Sequence, residues 1–401
     1  MNRNLLLAAL TTSAALLISN TAAPEYDIVI RGGRVLDGAG NPWVRADVAI
    51  KDGRIVKIGL VPGHGTREID AHDRYVTPGF IDMMDQSGAV LLANGAAENK
   101  LRQGVTSVIA GEGGTPVPAA DIPAYFDKLE AQGIGVNFGT YYAAMQARMK
   151  VMGDAAGTPT PAQLTAMSQE VDTAMKAGAF GISTALIYSP QTFQSTDDLI
   201  ALGKVAARCG GFYATHMRDE SANLLPTIAE AVRIGEESGA KVEIFHLKAA
   251  WRPGWGTLMP KAVQAIAAAR ARGVDVAADM YVYTAGGTGI DITVPTWVWA
   301  DGEAKGIERL KDPAIRARLR REMNTPSADW DNMYLGVGTP DNILFLAFKN
   351  DALKPYTGQT LAQVAAARGT APEDTIFDLV VEDDSRVGAA FFMMSVDNIR
   401  R

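Results

Sequence analysis

A chain of 401 residues, 47% hydrophobic and 21% charged, can bury a sizeable core, which excludes an intrinsically disordered protein. Its 45 acidic and 38 basic side chains leave a net charge of −7, which argues against nucleic acid or an anionic membrane surface as the main partner. A lone cysteine, Cys209, cannot form a disulfide within the chain.

The N-terminal stretch MNRNLLLAALTTSAALLISNTAAPEYD has a cationic start at Arg3, an apolar Leu/Ala segment and a small-residue exit at Thr21-Ala22-Ala23. This is the layout of a secretory signal peptide over residues 1–23, and its apolar part is shorter than the ~20 residues a membrane span needs. The expectation is cleavage near Ala22 or Ala23 and export to the periplasm or medium, with no membrane attachment afterwards.

Residues 24–77 read as a small β unit. YDIVIRGGRVLDG and ADVAIKDGRIVKIG alternate polar and apolar residues, and Asp52-Gly53 between Ile50 and Ile55 is a hairpin turn signal. From residue 78 to 401 the pattern changes to short apolar strands alternating with amphipathic helices, the signature of βα units around a parallel sheet. The predicted strands are residues 79–84, 105–111, 134–141, 179–187, 211–216, 242–247 and 274–281. Thr160, Pro161 and Gln163 form a predicted capping box with proline at the first helical position, and Leu164, Met167, Val171 and Met175 then share one face. Ser195 and Asp198 open the next helix, on which Cys209, four residues after Val205, reads as a small core residue. Residues 290–372 break the alternation and read as an insertion with its own helices. No glycine-rich phosphate turn follows the first strand, so the reading is a (β/α)8 barrel of TIM type rather than a nucleotide-binding sheet. Seven of its strands are legible, and the eighth is not.

Barrel chemistry gathers at the C-terminal strand ends. There the sequence places Met84 and Gln86, Glu112, Ser183 and Tyr188, His216, His246, and Tyr281 with Tyr283. Two of the four histidines, His216 and His246, fall at matching points of consecutive strands. With the carboxylate of Glu112 they make a zinc donor set that leaves a position open. Glu112, flanked by glycines, could equally cap a loop. Lys248 lies two residues after His246 and so on the same face of an extended chain, where it could meet a substrate carboxylate or simply be solvated. Tyr281 could donate to a developing oxyanion or pack at the barrel rim. His64 and His72, in the connection before the first barrel strand, read as surface residues.

The segments YDIVIRGGRVLDGAGNPW, VTPGFIDM, KLRQGVTSVIAGEGG, AGAFGISTALIYSP, YATHMRDE, FHLKAAWRPGWG and DMYVYTAGGTG resemble, in order and spacing, the N-acyl-D-amino-acid deacylases (D-aminoacylases) of the amidohydrolase superfamily. The resemblance runs from about residue 26 to the end. It implies a zinc-dependent barrel with a small β-sandwich built from both chain ends, acting on the linear amide of a small-molecule N-acyl-D-amino acid. It also implies that Glu112, His216 and His246 match the family's tight metal site, Lys248 its substrate-carboxylate lysine, and Tyr281 its oxyanion-side tyrosine. Two departures stand out. The family's His-x-His after the first strand is here Met84 and Gln86, which are poor zinc ligands, so a single Zn2+ is expected. The family's general-base aspartate, in a Gly-Ser-Asp motif after strand eight, would lie beyond Arg401, so no catalytic base is assigned within the chain. The expectation is therefore a C-terminally incomplete chain, poorly active, with Val29, Val35 and Ile55 partly wet. Asp85, Asp219 and Asp279 are the nearby acids. The rival readings are a cyclic-amide hydrolase of dihydroorotase or hydantoinase type, and a non-catalytic barrel that binds amino-acid derivatives.

Overall fold

A computed structural model describes residues 23–401, so the leader read at the N-terminus lies outside the described residues. The chain divides into two compact units, one ending at Gly79 and one spanning Phe80–Arg401. The first holds strands β1 (Tyr26–Val35), β2 (Val44–Lys51), β3 (Arg54–Gly59), β4 (Gly65–Asp70) and β5 (Tyr75–Val76) in one sheet of order β3-β2-β1-β4, with β5 also on β1. The β2–β3 hairpin turns on Asp52 and Gly53, both at positive φ (51° and 70°), as a two-residue turn matching the strand twist requires. Val29 and Val35 are buried, contrary to expectation, because β1 lies between β2 and β4; Ile55, on the outer strand β3, is 62% exposed. His64 and His72 are exposed.

In the second unit the parallel strands are β6 (Phe80–Asp85), β7 (Val105–Ala110), β8 (Asn137–Thr140), β9 (Tyr142–Ala143), β10 (Gly181–Ala185), β11 (Phe212–His216), β12 (Lys241–Ile244) and β13 (Val276–Ala278). β6-β7-β8 pair in sequence order, as do β9 through β13. β8 and β9 are one strand interrupted at Tyr141. The Tyr141 amide still donates to the Ala110 carbonyl at 2.8 Å, and the Phe180 amide to the Thr140 carbonyl at 2.9 Å, so the ladder runs through the break. The seven predicted strands thus form the parallel wall of a TIM-type barrel.

Helices between the strands cover the outer face. Thr160 and Ser195 cap theirs as predicted, accepting from the amides of Gln163 and Asp198 at 3.3 and 3.1 Å. On the helix Pro161–Lys176 the buried residues are Met167, Val171, Ala174 and Met175, one apolar stripe against the barrel. Cys209 is a correction: the helix ends at Ala207, the stripe stops with it, and Cys209 is exposed in the turn beyond.

Residues 286–391 carry a three-stranded antiparallel sheet, β14 (Gly286–Gly289), β15 (Ile343–Ala347) and β16 (Gly388–Phe391), in the order β14-β16-β15. Helices Glu303–Lys311, Pro313–Met323, Leu361–Arg368 and Pro372–Asp383 pack with it around a separate core that includes Phe345, Phe377 and Phe391.

Candidate metal centre

The turn after β7 begins at Gly111, whose φ of 106° suits glycine and where a Cβ would sit 2.8 Å from the Tyr141 carbonyl oxygen. Glycine lets the backbone pass close to the neighbouring strand and carry Glu112 over the strand ends. On β10 the buried Ser183 donates to the Gly111 carbonyl at 2.5 Å, so its hydroxyl steadies this turn.

β11 ends on His216, and Ala214, two residues earlier, faces the barrel interior with Ile109, Tyr141 and Phe245. Beyond β12, His246 has a φ of 37°, a strained value for a side-chain-bearing residue. Its amide donates to Asp279 Oδ1 at 2.5 Å, which fixes the kink and aims the ring back toward β11.

These turns bring the sequence-predicted residues together. Glu112 Oε1 lies 3.1 Å from His216 Nδ1 and 3.3 Å from His246 Nε2. The two rings meet edge to face with centroids 4.5 Å apart. One ligand atom from each of the three residues falls within 4.8 Å of the others. The second carboxylate oxygen, Glu112 Oε2, accepts from Gln86 Nε2 at 2.8 Å, so Gln86 orients the Glu112 carboxylate beside it.

Behind the histidines stands Glu220, which sequence reasoning missed. It is 3% exposed. Its Oε1 is 3.0 Å from His246 Nδ1, and its Oε2 is 2.6 Å from Lys248 Nζ and 3.5 Å from His216 Nε2. Lys248 Nζ also donates to His246 Nδ1 at 2.7 Å and to the His246 carbonyl at 2.8 Å. The only available sequence signal was a carboxylate four residues after a strand-end histidine, a spacing that means little on a loop.

Burial pushes the Glu112 carboxyl up, but the hydrogen bonds and charges of both histidines outweigh it and hold the group well below the usual carboxylate range. Glu220 behaves alike, with Lys248, His216 and His246 overcoming burial. Burial lowers His216. For His246, burial and the Lys248 ammonium pull down, while Glu220 and Glu112 pull up and prevail.

The cluster opens on a cavity of about 390 Å³ whose wall also includes Met84, Tyr188, Tyr281 and Asp331. The Tyr281 ring lies 6.3 Å from that of His246 and beneath Lys248 Nζ at 5.6 Å. None of the three nearby acids lines this cavity. Asp85 is paired with Lys100 at 2.7 Å, Asp219 accepts from the amides of Ser221 and Asn223, and Asp279 holds His246.

A carboxylate oxygen and two imidazole nitrogens facing one point fit zinc by donor type. With both histidines neutral, Glu112, Glu220 and Lys248 leave one negative charge in excess, which a cation in this corner offsets.

A parallel barrel with this constellation at its strand ends is of the amidohydrolase type. No family model matches the chain. It is 34% identical over 285 residues to an N-acyl-D-glutamate deacylase of Alcaligenes xylosoxydans xylosoxydans, covering 66% of this chain and 58% of that protein. It is 30% identical over 361 residues to a D-aminoacylase of the same organism, covering 82% of this chain and 74% of that one. The solved N-acyl-D-glutamate deacylase of Bordetella bronchiseptica, complexed with zinc and a phosphonate mimic of the tetrahedral intermediate, superposes with a TM-score of 0.74 at 27% identity, over 94% of this chain and 73% of that one. The chain belongs to the N-acyl-D-amino-acid deacylase (D-aminoacylase) family.

Proposed function

We propose that this protein hydrolyses the amide of N-acyl-D-amino acids, releasing a carboxylate and a free D-amino acid. The observation that carries this reading is the convergence of Glu112, His216 and His246 on one corner of the cavity, in a chain of this family. Those three residues would hold one zinc ion. When bound, zinc supplies a Lewis acid for the amide carbonyl and acidifies water. A single ion is favoured because Met84 and Gln86 bring a thioether and an amide, both weak partners for zinc, to the first strand end.

Lys248 places an ammonium in the cavity wall for the substrate carboxylate. Tyr281, whose hydroxyl burial pushes up, keeps its proton at neutral pH and would donate a hydrogen bond to the developing oxyanion. The catalytic base is not assigned, since none of the three nearby acids reaches the cavity.

The test is an assay of the purified zinc-loaded chain against N-acetyl-D-amino acids, their L enantiomers and hydantoins, with zinc content measured in parallel. The expected result is one zinc per chain and slow turnover confined to the D-acyl substrates, in keeping with a chain that lacks an assigned base. Ring opening of hydantoins would move the chain to the cyclic-amide hydrolases, and binding without zinc or turnover would make it a carrier. Export also belongs to this reading, on the strength of the leader-like N-terminus; N-terminal sequencing of the protein from a periplasmic fraction should begin near Ala23 or Pro24.

A further inference from the structure

Each histidine of the centre stands between two carboxylates. His216 turns Nδ1 to Glu112 at 3.1 Å and Nε2 to Glu220 at 3.5 Å. His246 turns Nε2 to Glu112 at 3.3 Å and Nδ1 to Glu220 at 3.0 Å. A neutral imidazole carries one N–H, and an ionised carboxylate can only accept it. A ring that gives its proton to Glu112 has no lone pair left on that side. A ring that gives it to Glu220 has one.

We propose that Glu220 is a positioning residue that sets the histidine tautomers: it accepts the protons of His216 Nε2 and His246 Nδ1 and so presents His216 Nδ1 and His246 Nε2 to a cation. This rests on the reading that Glu112, His216 and His246 hold an ion. A carboxylate behind a ligating histidine fixes its tautomer and raises its basicity, and losing such a partner typically costs about 10–100-fold in metal affinity.

Lys248 is drawn into the same choice. Its ammonium has three N–H groups, and all three are engaged, by Glu220 Oε2, His246 Nδ1 and the His246 carbonyl. The bond to His246 Nδ1 requires a lone pair there. Once His246 carries its proton on Nδ1, that bond is lost and one N–H of Lys248 is released to the cavity. Filling the cation corner thus arms the lysine proposed to meet the substrate carboxylate, and Glu220 is the acceptor that makes the exchange possible.

The experiment is a zinc competition titration against a chromophoric chelator on the wild type, Glu220→Gln, Lys248→Met and the double variant, with 15N histidine NMR on zinc-loaded wild type. Wild type should bind one equivalent, with His216 protonated at Nε2 and His246 at Nδ1. Glu220→Gln should weaken zinc binding by about 10–100-fold, Lys248→Met should not weaken it, and the double variant should stay as weak as Glu220→Gln. Should Glu220→Gln fail to fold, the double variant, which removes both members of the ion pair, carries the comparison. The NMR measurement needs no variant. A double variant that regains wild-type affinity would show that Glu220 merely neutralises Lys248 and would overturn the proposal. So would a loaded wild type with His246 protonated at Nε2. A wild type that binds no zinc refutes the metal reading itself, a separate failure from that of the Glu220 assignment.

Discussion

On one flank of the cavity stand Met84, near the end of β6, and Gln86, just beyond it, and the turn after β7 brings Glu112 alone, its carboxylate held by Gln86 and its turn by Ser183 on Gly111. On the other flank, the ends of β11 and β12 and the turns beyond them deliver His216, Glu220, His246 and Lys248 as one buried group, with Lys248 hydrogen-bonded to Glu220 and His246 and the Glu220 carboxylate within 3.5 Å of both histidine rings. The two flanks also differ beneath the site. β11 lies between β10 and β12, and β12 between β11 and β13, with helices Thr196–Ala207 and Leu224–Ser238 packed on them. β6 pairs with β7 alone among the described residues, and Phe80 and Ile81 are about 60% exposed. Buried charges need rigid, complete partner sets, because an unpaired one is costly in a low-dielectric interior. The charged half of the centre accordingly sits where the sheet is paired on both sides.

The largest effects are expected on the charged flank. If Glu112, His216 and His246 hold zinc as proposed, replacing His216 or His246 by Ala would leave two protein ligands, which rarely hold zinc tightly, so elemental analysis of dialysed protein should find most of the metal gone. Unchanged zinc in both variants would eliminate the site.

Next in size are the residues assigned to substrate. Tyr281→Phe should lower kcat by roughly 10²-fold with little change in zinc content, as for loss of an oxyanion donor. Lys248→Met should mainly raise KM for acyl amino acids and spare substrates without a free carboxylate. Equal losses on charged and uncharged substrates would count against the lysine.

The sparse flank offers the converse test. Gln86→Ala removes the hydrogen bond that orients Glu112, and zinc affinity should fall by about 10-fold, at the low end for loss of a partner and less than for loss of a ligand. Installing histidine at both Met84 and Gln86 should instead raise zinc stoichiometry above one per chain, measured by equilibrium dialysis. A stoichiometry fixed at one would mean that more than ligand type separates the flanks.

The smallest effect concerns pH. Below the charged flank, burial and then the neighbouring Asp279 carboxylate push Glu243 up to about 7 from an ordinary 4.5. The folded state therefore binds this proton more tightly than the unfolded chain. Its stabilisation is fully present below about pH 4.5 and is lost as pH rises through about 7. Glu243→Gln should flatten the decline in melting temperature across that window, and an unaltered pH profile would remove Glu243 as its source.

Much of this molecule is written locally. Strand and helix periods, the Asp52-Gly53 turn and the Thr160 and Ser195 caps depend on residues a few positions apart, and each appears where the sequence places it. His216 and His246 were legible because a barrel collects its strand ends at one mouth, so position along a strand reports position in space. Glu220 was not legible, since its amide is tied to Asp331 Oδ2 at 2.9 Å, 111 residues away. No local pattern states that pairing. Nor could the sequence say that Gln86 would reach Glu112, that Ser183 would brace Gly111, or that Lys248 would be shared between Glu220 and His246. The sequence by itself determined the residue types at each strand end and the order of the strands that carry them. Only the tertiary structure decided which of those side chains share protons, because hydrogen bonding is a matter of a few tenths of an ångström and loops set those distances through contacts remote in the chain.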